Sequence, residues 1–137
     1  MIIADTSGLL ALFNRREPTH ADVARLVTGQ SDPLVVSPYV VAELDYLVAT
    51  RFGVTAELTV LDELTGGAYE LAQVDVGEVD RCREVIERYR DQSIGLADAS
   101  VVVLADRYGT DQLLTLDRRH FDVVRPIGGG RFTILPA

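Results

Sequence analysis

The sequence predicts an α/β domain with a central, largely parallel five-stranded sheet and helices on both faces. Two observations predict this class. Short apolar runs, each too short for a helix, alternate with longer stretches whose apolar residues recur at helical spacing. The opening run also leads directly into an acid, Asp5, and then into a second apolar stretch. This alternation is typical of strand–helix–strand units, and we expect residues 1–137 to form a single domain.

The predicted strands are short apolar runs bounded by turn residues. The first ends at Ala4, and the second, Leu34–Val36, lies between an Asp-Pro and a Ser-Pro pair. Three further runs complete the predicted sheet: residues 69–74, 112–116 and 131–135.

The predicted helices are bounded by residues that start or stop a helix. Ser37 as N-cap and Pro38 in the first turn begin the helix after the second strand, and glycines end several of the others. The predicted helices are residues 8–13, 20–28, 38–52, 55–65, 78–90 and 96–108.

Composition places the chain among ordinary globular proteins, with 47% hydrophobic and 25% charged residues. No apolar run approaches the ~20 residues of a membrane span, so we expect no membrane association. Asp5 interrupts the first apolar run before a signal peptide could form. Cys82 is the only cysteine, which excludes an internal disulfide and favours a reducing, cytoplasmic location.

All 13 basic residues are arginine, because the chain contains no lysine. This absence excludes Schiff-base chemistry, a lysine-bearing phosphate loop and the lysine of aspartyl-phosphate enzymes. The net charge of −8 argues against a broad basic surface for nucleic acid. The acids are therefore either a solubilising surface or, in part, a site for a divalent cation or for an Arg- or Lys-rich partner.

Two acids directly follow predicted strands. Asp5 and Asp117 would lie at the carboxyl edge of the sheet, where open α/β folds bind ligands. Either one alone is explained as a helix N-cap or turn former. Two acids at the same edge favour a site.

Two more acids belong to helices that begin near this edge. Glu43 lies beside the apolar stripe of its helix, whereas its competitor Asp45 turns further from that stripe. Asp98 opens an otherwise apolar helix, where a carboxylate also suits the helix dipole. Three Asp and one Glu, without His or Cys, are hard oxygen donors that suit Mg²⁺ or Mn²⁺ and do not suit zinc.

The segments around these acids resemble the PIN-domain ribonucleases, and more narrowly the VapC-type toxins of bacterial toxin–antitoxin pairs. The resemblance covers essentially the whole chain, in order. The segments that carry it are residues 5–7, 41–44, 94–99 and 114–121.

The resemblance implies a Mg²⁺-dependent endoribonuclease, with Mn²⁺ as a possible substitute, that hydrolyses RNA with a metal-activated water. Carried over to this sequence, Asp5 and Asp98 would be the main metal ligands, and Glu43 and Asp117 would complete the catalytic set. Asp117 is also assigned to the metal. The residues expected to orient these acids are Thr6, Ser7 and Thr115.

The resemblance also implies partners. These are an RNA substrate, either transfer RNA or a ribosomal RNA loop, and a small antitoxin that places an Arg or Lys near the acidic pocket. A homodimer is expected too, through the helix at 96–108 or the one at 40–52. The arginines that would hold RNA phosphates, or form a solvated surface instead, are Arg15, Arg16, Arg118 and Arg119.

Two other protein classes are excluded because this chain lacks residues that they require. A haloacid-dehalogenase-like phosphatase and a response-regulator receiver both require a lysine, and the former a second acid at the position of Ser7. The remaining alternative is a PIN-like module that binds RNA or protein without cutting. We expect His20 and His120 to be surface or packing residues, although His120 could contact RNA.

Overall fold

The computed structural model describes every residue from Met1 to Ala137. Five parallel strands form one sheet in the order β3-β2-β1-β4-β5, with β1 at its centre. The strands are β1 (Ile3–Ala4), β2 (Leu34–Val36), β3 (Tyr69–Leu71), β4 (Gln112–Leu114) and β5 (Thr133–Leu135). The sheet is thus fully parallel, and the predicted α/β class is confirmed.

Seven α-helices surround the sheet, as expected for parallel strands that must be covered on both faces. They are α1 (Thr6–Phe13), α2 (His20–Thr28), α3 (Pro38–Phe52), α4 (Val54–Leu64), α5 (Val76–Arg88), α6 (Leu96–Tyr108) and α7 (Arg118–Phe121). A 3₁₀ turn at Arg90–Gln92 separates α5 from α6. None of the helices is long and apolar enough to cross a membrane.

Several predicted boundaries are wrong. β3 and β4 end at Leu71 and Leu114, before the predicted ends at 74 and 116, because the chain leaves the sheet as soon as ladder pairing stops. α5 begins two residues earlier than predicted because Asp75 caps it through a capping box with Glu78. The sequence analysis did not predict α7, whose four residues show no helical periodicity.

The core lies between the sheet and the helices and includes the middle of α6. Every residue from Ala99 to Ala105 is buried within the chain. Only the two ends of α6 are accessible to a second copy, and the dimer interface stays a prediction. The other candidate, α3, exposes Tyr46 (67%) and Phe52 (53%).

Gly8 allows α1 to pack tightly over the centre of the sheet. A Cβ built on Gly8 would lie 2.5 Å from the carbonyl oxygen of Leu114 in β4. This close approach places the start of α1 directly over the carboxyl ends of β1 and β4.

Candidate active site

Asp5 lies at the carboxyl end of the central strand and is 4% exposed. The backbone at Asp5 continues the β1–β4 ladder, since its N–H donates to the carbonyl oxygen of Leu114 at 2.9 Å. Its carboxylate oxygen Oδ2 accepts from the hydroxyl of Thr115 at 2.9 Å. Its other oxygen, Oδ1, is buried and has no hydrogen-bond partner. One oxygen of the Asp5 carboxylate is thus held by the protein, while the other is free to bind a ligand.

The electrostatic surroundings of Asp5 disfavour its charge. Burial raises the pKa of Asp5 to about 6, and the carboxylates of Asp98 and Glu43 raise it as well. Hydrogen bonds from the Thr6 backbone and the Thr115 hydroxyl oppose this rise. Asp5 is therefore a buried carboxylate in a negative environment, which a bound cation would relieve.

Ser7 and Thr115 form a hydroxyl network that orients Asp5. The Ser7 hydroxyl donates to Asp5 Oδ2 at 3.4 Å and lies 3.1 Å from the Thr115 hydroxyl. Because Thr115 donates its one hydroxyl proton to Asp5, the single proton of Ser7 is shared between Asp5 and Thr115. The two hydroxyl oxygens also accept backbone N–H groups, from Leu116 to Ser7 and from Asp117 to Thr115, both at 2.9 Å. The network therefore joins the start of α1 to the chain after β4.

Thr6 does not take part in this network. It is buried, and its hydroxyl oxygen has no partner. Of the residues predicted to orient the acids, the structure thus brings Ser7 and Thr115 to Asp5 through their side chains, and Thr6 only through its backbone.

Asp117 caps α7, accepting from the backbone N–H of His120 at 3.3 Å. The imidazole of His120 folds back over the acids, with Nδ1 3.0 Å from Asp117 Oδ2 and 3.5 Å from Asp98 Oδ2. Only 15% of the His120 side chain is exposed. His120 is therefore part of the site, and the expectation of a surface or packing role missed its contacts with both acids.

Asp98 lies in the first turn of α6 and faces the same pocket. Burial raises its pKa, the carboxylates of Asp117 and Glu43 raise it too, and His120 opposes the rise. Nearby, the buried Ser37 and Ser100 hydroxyls lie 2.6 Å apart and tie the start of α3 to the start of α6. Sequence reasoning missed Ser100, because a serine inside an apolar helix carries no local signal of a partner 63 residues away.

Glu43 is exposed on α3, and its charge raises the pKa of both Asp5 and Asp98. Asp45 points instead toward Glu57 of α4, where a hydrogen bond between the two carboxyl groups raises the pKa of Glu57. The structure therefore brings Glu43, and not Asp45, to the other three acids.

The predicted RNA-binding arginines are divided between two places. Arg118 and Arg119 are exposed on α7, next to Asp117. Arg15 and Arg16 are also exposed, but Arg15 lines a small cavity with Glu63 and Tyr69. Because Tyr69 is the first residue of a parallel strand, Arg15 lies at the opposite edge of the sheet from the acids.

The donors present fit a hard divalent cation. No set of three or more His, Cys, Asp or Glu side chains is placed to hold a metal ion by itself. Mg²⁺ does not require such a set, because it keeps several waters and binds through one or two carboxylates plus phosphate oxygens. The unpartnered Oδ1 of Asp5, facing the negative charges of Asp98 and Glu43, is consistent with such a partly hydrated ion.

The fold and site together define a parallel α/β domain with one cluster of acids at the carboxyl edge of its sheet. A family model described as "PIN domain" matches residues 2–126. The chain belongs to the PIN-domain family. It is 61% identical over 135 residues to "Ribonuclease VapC26" of Mycobacterium tuberculosis, an alignment that covers 98% of this chain and 100% of that protein. The resemblance to VapC-type PIN-domain proteins is thereby confirmed.

Solved structures share the fold at low sequence identity. The crystal structure of Mycobacterium tuberculosis VapC20, described as a sarcin-ricin loop cleaving toxin, superposes with a TM-score of 0.79 at 20% identity. That match covers 85% of this chain and 90% of VapC20. FitAcB from Neisseria gonorrhoeae matches with a TM-score of 0.53 at 17% identity over 80% of this chain and 84% of that chain. These likenesses support the fold.

Proposed function

We propose that this protein is a Mg²⁺-dependent endoribonuclease that acts as the toxin of a toxin–antitoxin pair. The observation that carries the proposal is that Asp5, Glu43, Asp98 and Asp117 come from four separate segments and lie close enough for their charges to act on one another. The relative named as a ribonuclease, at 61% identity, supports the same activity. Mn²⁺ has similar ligand preferences and would be expected to substitute.

Asp5 would hold the cation through Oδ1, because its Oδ2 is already engaged by Thr115. Asp98 and Asp117 would hold the other side of the ion and its waters, after the His120 ring moves off their Oδ2 atoms. When bound, Mg²⁺ would activate a water and neutralise the charge that develops on the scissile phosphate.

Glu43 is suited to proton transfer because it is the exposed member of the four acids. Its carboxylate would accept the proton of the attacking water while Asp5 and Asp98 remain ionised. Attack by water, rather than by the ribose 2′-hydroxyl, would leave a 5′-phosphate and a 3′-hydroxyl. The arginines of α7, Arg118 and Arg119, lie where they would position RNA phosphates beside Asp117.

A second surface is suited to protein partners. An apolar cavity of about 180 Å³ lies between α1, α3 and α4 and is lined by Leu10, Phe13, Val48 and Phe52 among others. Phe52 in this lining is 53% exposed, and contiguous exposed apolar surface is typical of interaction sites. We assign this region to the antitoxin or to a second copy of the chain, and we expect the antitoxin also to place an Arg or Lys in the acidic pocket.

The activity is tested by incubating the purified protein with total RNA in Mg²⁺ or in EDTA. We expect cleavage in Mg²⁺, none in EDTA, and none by Asp5→Asn purified in parallel. Asp62→Asn, which changes an exposed carboxylate of α4, is the matched control and should cleave normally. Cleavage that is absent in all samples, or that persists in EDTA and in Asp5→Asn, would refute the proposal and favour a binding module.

The partner is tested by co-expression with the small open reading frame adjacent to the gene. We expect the two products to co-purify. We also expect co-expression to relieve the growth arrest that this protein would cause when expressed alone. Absence of both a complex and relief would contradict the toxin assignment while leaving the nuclease activity intact.

A further inference from the structure

A cavity of about 130 Å³ lies between α5, α6 and the chain after α7, apart from the acidic pocket. Three arginines line it, Arg81, Arg88 and Arg125, over an apolar wall that includes Val102. The one carboxylate in its lining is Glu84, which is exposed and forms no ion pair. A cavity with three arginines is unusual in a chain whose net charge is −8.

Two of these three arginines have no carboxylate partner. Arg81 forms an ion pair with Asp106 at 2.8 Å, whereas neither Arg88 nor Arg125 has a carboxylate oxygen within 4.0 Å. Most arginines elsewhere on α5 and α6 are neutralised in such pairs. The positive charge of this cavity is therefore left available to an anion.

The two unpaired arginines are nevertheless held in place. The guanidinium of Arg88 lies over the ring of Tyr89, 5.7 Å from its centroid. The backbone N–H of Arg125 donates to the Tyr89 hydroxyl at 3.1 Å, and its guanidinium donates to the carbonyl oxygen of Asp122 at 3.2 Å. Tyr89 thus holds the guanidinium of Arg88 and the backbone of Arg125, and Asp122 holds the guanidinium of Arg125. Such contacts lower the entropy lost when the two charges bind a ligand.

The cavity lies close to the acids, because Val102 in its wall and Asp98 belong to the same helix, α6. Val102 follows Asp98 by four residues on α6, a rise of about 6 Å. Arg125 lies in the segment that follows α7, and α7 is capped by Asp117. An RNA strand whose scissile phosphate lies at the acids would therefore pass this cavity with a neighbouring part of its backbone.

We propose that the cavity of Arg88 and Arg125 is a binding site for a backbone phosphate of the RNA substrate, beside the cleavage site. This inference rests on the proposed function. Paired arginine forks suit phosphate oxygens, since they offer several N–H donors in a fixed plane. In a protein that repels RNA overall, such a site would hold the strand where the acids act.

The test measures RNA binding without cleavage. A labelled single-stranded oligoribonucleotide is titrated in EDTA with the Asp5→Asn protein, with and without R88A/R125A, over a range of salt concentrations. Loss of the one phosphate contact that the two arginines make should weaken binding and reduce the slope of log K against log[salt] by ~0.7. R83A/R90A is the matched control, because Arg83 and Arg90 are exposed arginines already paired with neighbouring acids. It should leave the slope almost unchanged.

A slope that is unchanged in R88A/R125A, or reduced equally in R83A/R90A, would overturn the proposal. If R88A/R125A lost binding to an acidic protein partner while its RNA binding stayed intact, the proposal would be overturned as well. R88A alone alters one exposed side chain at the end of α5, so it guards against misfolding of the double variant and should reduce the slope by a smaller amount than the double variant does. Mg²⁺-dependent cleavage by the wild type is scored separately, so failure of this site is distinguishable from failure of the nuclease proposal.

Discussion

Replacing Asp5 with Asn is expected to stabilise the metal-free protein at neutral pH while abolishing its activity. The pKa of Asp5 is raised from 3.8 to about 6, chiefly by burial. A shift of about two pKa units corresponds to about 3 kcal/mol of unfavourable free energy when the carboxylate is ionised. Asn removes this charge but buries an amide N–H without a partner, at about 1–2 kcal/mol. The net gain is about 1–2 kcal/mol.

The sign of the pH dependence follows from the raised pKa. Between pH 3.8 and about 6 the folded state binds more protons at Asp5 than the unfolded state does. The free energy of unfolding of the wild type therefore falls as pH rises through this window, and the loss is complete above about pH 7. Asn at this position does not titrate, so the advantage of the variant should be absent near pH 4 and full at pH 8.

Urea unfolding in EDTA at several pH values measures this difference. Asp62→Asn is the control, and it should follow the wild type at every pH. The reasoning is refuted if Asp5→Asn is less stable than the wild type at pH 8, or if the difference between them does not change with pH.

Three further predictions use the same unfolding assay. Thr115→Val removes the hydroxyl that donates to Asp5 and accepts from the backbone N–H of Asp117, so it should lower the free energy of unfolding by about 1–3 kcal/mol. It should also raise the pKa of Asp5 further. A stability equal to that of the wild type would contradict the hydroxyl network. Gly8→Ala should lower the free energy of unfolding by about 1–3 kcal/mol or more, because its Cβ would meet a β4 carbonyl oxygen at 2.5 Å. Gly77→Ala, whose Cβ has ordinary contacts, should instead stabilise α5 by up to about 1 kcal/mol. Equal effects of the two variants would refute this distinction. Mg²⁺ at 100 times its dissociation constant should stabilise the wild type by about 2.7 kcal/mol and Asp5→Asn far less; equal shifts would place the ion elsewhere.

Local sequence signals predicted the elements that have strong boundaries of their own. The limits of α2, α3 and α6 agree with the expected residues, since each has a clear apolar pattern and an N-cap, proline or glycine at its ends. The ends of β3 and β4 were missed because they depend on where a neighbouring strand stops pairing. That information lies in another part of the chain.

The acids of the site were predictable because a parallel sheet brings strand ends and helix starts to one edge. The contacts that support these acids were less predictable. The role of His120 depends on a turn of α7 that sequence periodicity does not reveal, and Ser100 depends on a partner in a different helix. Arg15 was expected to hold RNA phosphates, but α1 carries the chain back along the sheet, so Arg15 lies at the edge opposite the acids.

The hydroxyl network has a consequence for the order in which the protein becomes active during synthesis. Asp5 is made 110 residues before Thr115, whose hydroxyl orients it. At translation rates of ~5–20 residues per second, that interval is about 5–20 s. A nascent chain therefore carries its central acid for that time without the residues that complete the site. The proposed activity would begin only after Thr115 has left the ribosome, where a partner can meet the chain.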